Sequence, residues 1–382
     1  MKCPRCLNED RRHFYKGSKG WYCRKCISFK RVLIKEEIEV QDYAISDVEV
    51  KIELKYELTP YQKKIAKEAI ETIVSSDILL LCCTGAGKTE ISMPIIATYL
   101  KKGKRVCYAI ARREVVLELY ERFRSTFINN TVTRVCGGYT DELYADLIVC
   151  TTHQLYRYHH TFDLLILDEV DAFPFKGNDT LNNIALTSLT SDGRIVYSTA
   201  TIDDHIQKIM RKRPLKTLSL QRRPHGRPLI VPKVKIRPKA ILYLELLKIL
   251  KKTDRQTIIF TESIRICKFL YRILKRVYSV TYVYSSLEER SANIKAFKEK
   301  KFRFIVATSV LERGITIEGV DVIIIKFYDG IFDKASIVQM CGRVGRSFKD
   351  PYGNSYILTT SKDEAIKQAI AEMRKANEVY LL

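Results

Sequence analysis

The run Cys83-Thr84-Gly85-Ala86-Gly87-Lys88-Thr89 puts glycines, a lysine and a hydroxyl at a spacing that suits the phosphates of a nucleotide. Gly85 and Gly87 let the backbone curl until consecutive amides along Thr84 to Gly87 face phosphate oxygens. Lys88 neutralises the outer phosphates, and Thr89 offers its hydroxyl to magnesium. A strict form of this loop opens on glycine, where the chain has Cys82. Downstream, Asp168-Glu169-Val170-Asp171 closes the apolar run Phe162 to Leu167. Carboxylates at the end of a strand sit where α/β sheets place their chemistry. Asp168 is the candidate to hold magnesium through its water shell, and Glu169 to orient and deprotonate an attacking water. Together the two segments point to ATP hydrolysis with Mg2+.

Phosphoryl transfer also calls for positive charge at the developing γ-phosphate. Gln339-Met340-Cys341-Gly342-Arg343-Val344-Gly345-Arg346 offers Arg343 and Arg346 three residues apart, with glycines that permit close approach. A second constellation is the pair of CxxC motifs formed by Cys3, Cys6, Cys23 and Cys26. Four thiolates at this spacing match tetrahedral zinc, closed and therefore structural. An iron–sulfur cluster or a redox dithiol is the lesser alternative. Residues 1–30 hold few aliphatic side chains, so the metal has to supply their folding energy.

These residues need a scaffold. From residue 58 the pattern alternates helix and strand. LTPYQKKIAKEAIETIV reads as a helix with Pro60 in its first turn, and DILLLCC as a strand running into the phosphate loop. RVCYAIA, ADLIVCT, FDLLILDE and GRIVYSTAT read as further buried strands of a parallel sheet with helices on both faces. Prolines at 214, 224, 228, 232 and 238 interrupt the periodicity, and a second α/β set follows through QTIIFT, VTYVYS, FRFIVAT and VDVIIIKF. The expected fold class is α/β, with two parallel-sheet lobes in tandem behind a small zinc module. The expected divisions are 1–30, the four-cysteine module; 31–57, connecting strands; 58–212, the ATP-binding lobe; 213–238, a basic proline-bearing connector; and 239–382, the second lobe.

Sixty-six Lys and Arg against 44 Asp and Glu leave a formal charge of +22, which favours a polyanionic partner, nucleic acid before an anionic membrane surface. The hydrophobic share of 46% excludes a disordered chain. No apolar signal segment opens the sequence, and no stretch nears the roughly 18 apolar residues of a membrane helix. The remaining seven of the eleven cysteines lie mostly in apolar runs and read as buried thiols of a reducing compartment. The expected location is the cytoplasm, with peripheral association at the inner face of the membrane.

As a set, these motifs resemble the superfamily-2 helicases and translocases, over residues 58 to 347. Leu58-Thr59-Pro60-Tyr61-Gln62 resembles the adenine-sensing segment, with Gln62 reading the base. Ala111-Arg112-Arg113-Glu114 and Thr151-Thr152-His153-Gln154-Leu155 resemble strand-contacting motifs. Ser198-Thr199-Ala200-Thr201 resembles the motif that couples hydrolysis to strand binding, through Ser198, Thr199 and Thr201. Val306 to Ile315 and Gln339 to Arg346 resemble the last two motifs, which adds Gly314 and Gln339 to the ATP site and Thr308 to the DNA contacts. Thr316 stands where many relatives have Asp. The resemblance implies RecA-like lobes, an ATP site completed on lobe closure, and DNA held by Arg112, Arg113, Thr152 and Thr308.

With its leading four-cysteine module, the chain is most similar to the ComFA family of late competence proteins of naturally transformable Gram-positive bacteria. That resemblance implies a single-stranded-DNA translocase serving DNA uptake. It also implies a membrane uptake channel and other late competence proteins as partners, and admits a homo-oligomer. No strand-separating pin is evident, which favours translocation over unwinding. Rival readings are a DNA repair or replication-restart helicase, an RNA helicase and, in another class, a zinc-bearing nucleic-acid adaptor with a weak ATPase. Intact Lys88, Thr89, Asp168, Glu169, Arg343 and Arg346 argue against the last.

Overall fold

The apolar runs assemble into two sheets in which every pair of neighbours is parallel. The structure, a computed structural model, describes the whole chain except residues 36, 37, 39, 41, 42, 315, 316, 329, 381 and 382. It divides into two compact units, residues 1–82 with 87–220, and residues 83–86 with 221–382.

The first unit opens on a hairpin, β1 (Phe14–Gly17) and β2 (Gly20–Cys23), paired antiparallel. Helix α1 (Pro60–Ile73) starts on a capping box between Thr59 and Gln62 with Pro60 in its first turn, as the sequence implies. There follow β3 (Asp77–Cys82), α2 (Lys88–Leu100), β4 (Val106–Ile110), α3 (Arg113–Thr126), β5 (Val132–Val135) and β6 (Leu147–Thr151). The unit ends with β7 (Phe162–Asp168), α4 (Asp179–Thr187), β8 (Leu189–Thr199), α5 (Asp204–Lys212) and β9 (Leu215–Leu220). The strand order is β5-β6-β4-β7-β8-β3-β9. Central strands such as β3 and β7 are covered on both faces, which is why their centres, Ile78 to Leu81 and Leu164 to Leu167, read as apolar runs and not as alternation.

The second unit runs through β10 (Lys233–Ile236), α6 (Lys239–Lys252), β11 (Gln256–Thr261), α7 (Ile264–Leu274), β12 (Val280–Val283) and α8 (Arg290–Lys298). It closes with β13 (Phe304–Ala307), β14 (Val320–Lys326), α9 (Lys334–Cys341), β15 (Ser355–Thr359) and α10 (Glu364–Asn377). Its strand order is β10-β15-β14-β11-β13-β12.

Two expectations change. The connecting strands expected in residues 31–57 do not form among the described residues, which offer only isolated bridges from Leu33 to Tyr22 and from Ile52 to Phe127. Alternation alone does not make a strand without a ladder to join. Ile34, Ile38 and Tyr43 instead pack on the core of the first unit. The segment is fastened from the side, with Arg105 Nη2 donating to Tyr43 O at 2.9 Å and Ser46 N to Asp146 Oδ1 at 2.8 Å. The expected connector 213–238 also contributes a strand to each sheet. Leu215–Leu220 adds an edge to the first sheet beside β3, and Lys233–Ile236 an edge to the second beside β15. Pro214 and Pro232 stand just ahead of these edge strands, where a missing N–H removes no ladder bond.

Candidate nucleotide site and cysteine cluster

The phosphate loop follows β3 and opens α2, the strand–loop–helix context its residues require. Gly85 and Gly87 both adopt left-handed backbone, with φ of 81° and 84°. At Gly87 a Cβ would also press on the Gln62 amide, so space as well as conformation favours glycine. Gln62 itself is buried, and its Oε1 accepts from Thr59 N at 2.9 Å.

Lys88 Nζ stands 3.6 Å from Asp168 Oδ1, both side chains largely shielded. Burial works against its charge, but Asp168, Glu169 and Asp171 outweigh burial and raise its pKa, so Lys88 stays an ammonium. Asp168 is held from three further directions. Tyr108 Oη donates to Oδ2 at 2.8 Å, Ser198 Oγ to Oδ1 at 2.8 Å, and Glu169 N to Oδ1 at 2.9 Å. Tyr108 stands on β4, the strand beside β7, so the phenol holds the Asp168 carboxylate from the neighbouring strand. Burial, with Asp168 beside it, pushes that phenol well above its ordinary pKa, and it remains a donor.

Glu169 adopts φ of 54°, a left-handed conformation that non-glycine residues rarely take. Its Oε2 is buried and accepts no hydrogen bond among the described residues. An unused carboxylate oxygen on strained backbone is the form a general base takes at a functional site. Asp171 is buried and accepts from Thr201 Oγ1 at 3.0 Å, and Thr199 Oγ1 donates to Thr201 O at 2.8 Å. The segment Ser198 to Thr201 therefore grips the acidic segment at both ends, at Asp168 and at Asp171.

In the second unit, Gln339 lies on α9, while Arg343 and Arg346 fall just past its C-terminus. Arg343 and Gln339 are buried, and Arg346 Nε donates to Gly342 O at 2.9 Å. Arg223 fixes this loop, its Nη1 donating to Val344 O at 2.7 Å and Gly345 O at 2.9 Å, and its Nη2 to Gly342 O at 2.7 Å. Burial lowers the Arg223 pKa to about 10, which leaves it charged at neutral pH. Gly314 has φ of 77°, and Thr308 is half-buried. Ile315 and Thr316 lie outside the described residues.

Of the residues expected to meet DNA in the first unit, Arg112 precedes α3 and is half-buried. Arg113 is exposed, and its Nε donates to Gly137 O at 2.7 Å. Thr152 is 2% exposed, and its Oγ1 makes no hydrogen bond among the described residues.

The four N-terminal sulfurs all lie within 4.8 Å of one another, and the Cys3–Cys26 and Cys6–Cys23 Sγ pairs are each 3.7 Å apart. Tetrahedral coordination with Zn–S near 2.3 Å asks for sulfurs about 3.8 Å apart, so the donor set fits zinc. Around this cluster the module is seated on α4, with Asn183 Nδ2 donating to Cys6 O and Thr187 Oγ1 to Arg5 O, both at 2.8 Å. The other seven cysteines are all buried, as their apolar settings suggest.

Residues 239–348 match the family described as helicase conserved C-terminal domain, and residues 55–204 the family described as type III restriction enzyme, res subunit. The competence protein ComFA of Streptococcus pneumoniae is 32% identical, in an alignment covering 98% of this chain and 90% of that one. The chain belongs to the ComFA family. The Bacillus subtilis ComFA is 28% identical, with 99% of this chain and 86% of that one covered. Among solved structures, S. cerevisiae Dbp5 bound to RNA and ADP BeF3 matches with TM-score 0.65 at 19% identity, over 84% of this chain and 91% of that one. Mycobacterium smegmatis helicase Lhr bound to ssDNA and AMP-PNP matches with TM-score 0.62 at 17% identity, over 84% and 48%. These two likenesses establish the fold, tandem RecA-like lobes. The helicase families and the ComFA relationship make the chain a nucleic-acid-dependent ATPase of superfamily-2 type.

Two residues escaped the sequence reading of this ComFA-family chain. Tyr108 sits inside the strand RVCYAIA, where a tyrosine reads as one more core side chain. Arg223 sits among the prolines of the connector and reads as surface charge. No helix among the described residues is long and apolar enough to cross a membrane.

Proposed function

We propose that the chain is the ATP-driven motor that moves single-stranded DNA during competence. The observation that carries this reading is the tethered Lys88–Asp168–Tyr108 cluster at the phosphate loop, in a chain related to ComFA along nearly its whole length. In this reading the amides of Thr84 to Gly87 and the Lys88 ammonium bind the triphosphate, and Gln62 reads the adenine. Thr89 and Asp168 hold the magnesium, which when bound supplies positive charge at the β- and γ-phosphates. Glu169 takes the proton of the attacking water on its unengaged Oε2. Gln339, Arg343, Arg346 and Gly314 serve the same phosphates, the arginines neutralising charge that develops on transfer.

Ser198, Thr199 and Thr201 carry the state of the acidic segment to the strand contacts, among them Arg112, Arg113, Thr152 and Thr308. Zinc on Cys3, Cys6, Cys23 and Cys26 holds the N-terminal module. The motor works in the cytoplasm at the inner face of the membrane, with an uptake channel and other competence proteins as partners.

The test is ATP turnover with single-stranded DNA, duplex DNA and RNA at matched salt. Single-stranded DNA should stimulate most. Preferential stimulation by RNA or duplex would overturn the reading. Glu169→Gln should abolish turnover while nucleotide binding persists, and a variant with undiminished turnover would remove Glu169 as the base.

A further inference from the structure

The N-terminal module does not merely rest on the first lobe. Together they enclose a cleft of about 550 Å3 lined by Lys25 and Phe29 on one side and by His153, Tyr156, Asn178 and Thr180 on the other. The Phe29 ring stacks on His153 with centroids 5.8 Å apart at 27°, and lies 5.9 Å from the Tyr156 ring. Tyr156 is backed by Arg5, whose guanidinium is 5.7 Å from the ring centroid. The three rings line the cleft as an aromatic wall across the junction of module and lobe, and α4 holds the module there through its bonds to Cys6 and Arg5.

The cleft adjoins the segment expected to meet the strand, but with a change of residue. Thr152 is buried, whereas His153 is exposed on the cleft wall. Burial of part of its ring lowers the His153 pKa, so at neutral pH it offers a π face and a hydrogen-bonding nitrogen and carries no charge. Lys25 is exposed at the rim, and no lining residue is acidic. The nearby Asp179 is occupied by Lys208 Nζ at 2.5 Å.

We propose that this cleft is a nucleotide subsite for single-stranded DNA, with a base against the aromatic wall and its phosphate at Lys25. The proposal rests on the reading of the chain as a single-strand motor. The chemistry selects a single strand because a stacking platform needs a base with an exposed π face, which a duplex conceals. It also gives the metal a task beyond folding. Zinc sets Phe29 and Lys25 opposite His153, so the strand path extends from the lobe onto the module.

The experiment uses the full chain and a fluorescein-labelled oligothymidylate, with anisotropy read at several salt concentrations. His153→Ala should weaken binding about 5- to 20-fold through lost stacking. Lys25→Ala should weaken it less but make the log affinity–log salt slope shallower by about 0.7, one single-strand phosphate contact. Lys19→Ala, an exposed lysine of the same module that does not line the cleft, should change neither. Zinc content and thermal unfolding check that each variant is folded. Wild-type affinity and slope in both cleft variants, or an equal loss in Lys19→Ala, would overturn the subsite while leaving the motor reading intact. A wild-type chain that binds no single strand would overturn the motor reading itself.

Discussion

Asp168 shows how much of this site depends on a side chain remote in sequence. Its two oxygens meet Lys88, Ser198, the Glu169 amide and Tyr108, the last from a neighbouring strand. Tyr108→Phe removes one hydroxyl and almost no volume, so the fold should persist. With Asp168 no longer held by the phenol, the magnesium concentration for half-maximal turnover should rise about 3- to 10-fold, less than the roughly 1.5–3 kcal/mol of a hydrogen bond to a charged group because Ser198 and the Glu169 amide still hold the carboxylate. Magnesium titration of ATP turnover checks this, and an unchanged requirement would show that the phenol does not position Asp168. Arg223 makes a similar case in the second unit. Its planar fork serves four carbonyls, those of Thr84, Gly342, Val344 and Gly345, that a lysine ammonium cannot serve in the same geometry. Arg223→Lys should lower the unfolding temperature by several degrees and depress turnover, as read by calorimetry and phosphate release. Lys88, Asp168 and Glu169 were legible because their chemistry is written in contiguous strings. Tyr108 and Arg223 were not, because their partners come from other elements and neither residue type is diagnostic alone.

At the scale of elements, the sequence announced buried strands more clearly than edges. Strands β3, β7 and β14 are buried along nearly their whole length and carry apolar centres, whereas β9 and β10 are partly exposed edge strands with lysines, hidden between prolines. The 31–57 segment erred in the other direction, since its alternation matched a strand but its described residues were fastened by side chains instead. The phosphate turn makes the sharpest element-level prediction. In Gly87→Ala the new methyl would collide with the Gln62 amide on backbone whose φ of 84° is strained for an L side chain, so Gln62 must shift and the turn carries the strain. ATP binding, measured by fluorescent-nucleotide titration, should fall more than about 10-fold; binding within twofold of wild type would mean the turn tolerates the shift.

The N-terminal hairpin makes another. Its apolar content is small and its four buried sulfurs crowd one point, so metal removal should unfold residues 1–30 and loosen α4, which bonds to them. Hydrogen exchange after chelation should show faster exchange there, with the sheet around Asp168 still protected.

The charge of the whole chain invites a simple reading that the structure refines. A formal +22 implies a strong electrostatic pull on a polyanion, but the basic residues are not all available to one. Arg5, Arg223, Arg313 and Arg343 are buried, Arg213 is paired with Asp77, and Arg255 bonds to Asp350. Others lie over tyrosine rings, as Arg134 does over Tyr120 and Tyr139. Part of the excess therefore holds the protein together, and the count of phosphates met at once must fall well short of the net charge. For a track of roughly four to seven phosphates, log affinity for single-stranded DNA should fall with log salt at a slope of about −3 to −5. Titrations of a labelled oligothymidylate across a range of salt measure this slope directly. A slope steeper than about −10 would mean that the strand wraps a broad basic surface and does not follow a defined path. With the slope in the shallow range, losses at single residues such as Lys25 become measurable against it, because one contact is then a sizeable part of the total.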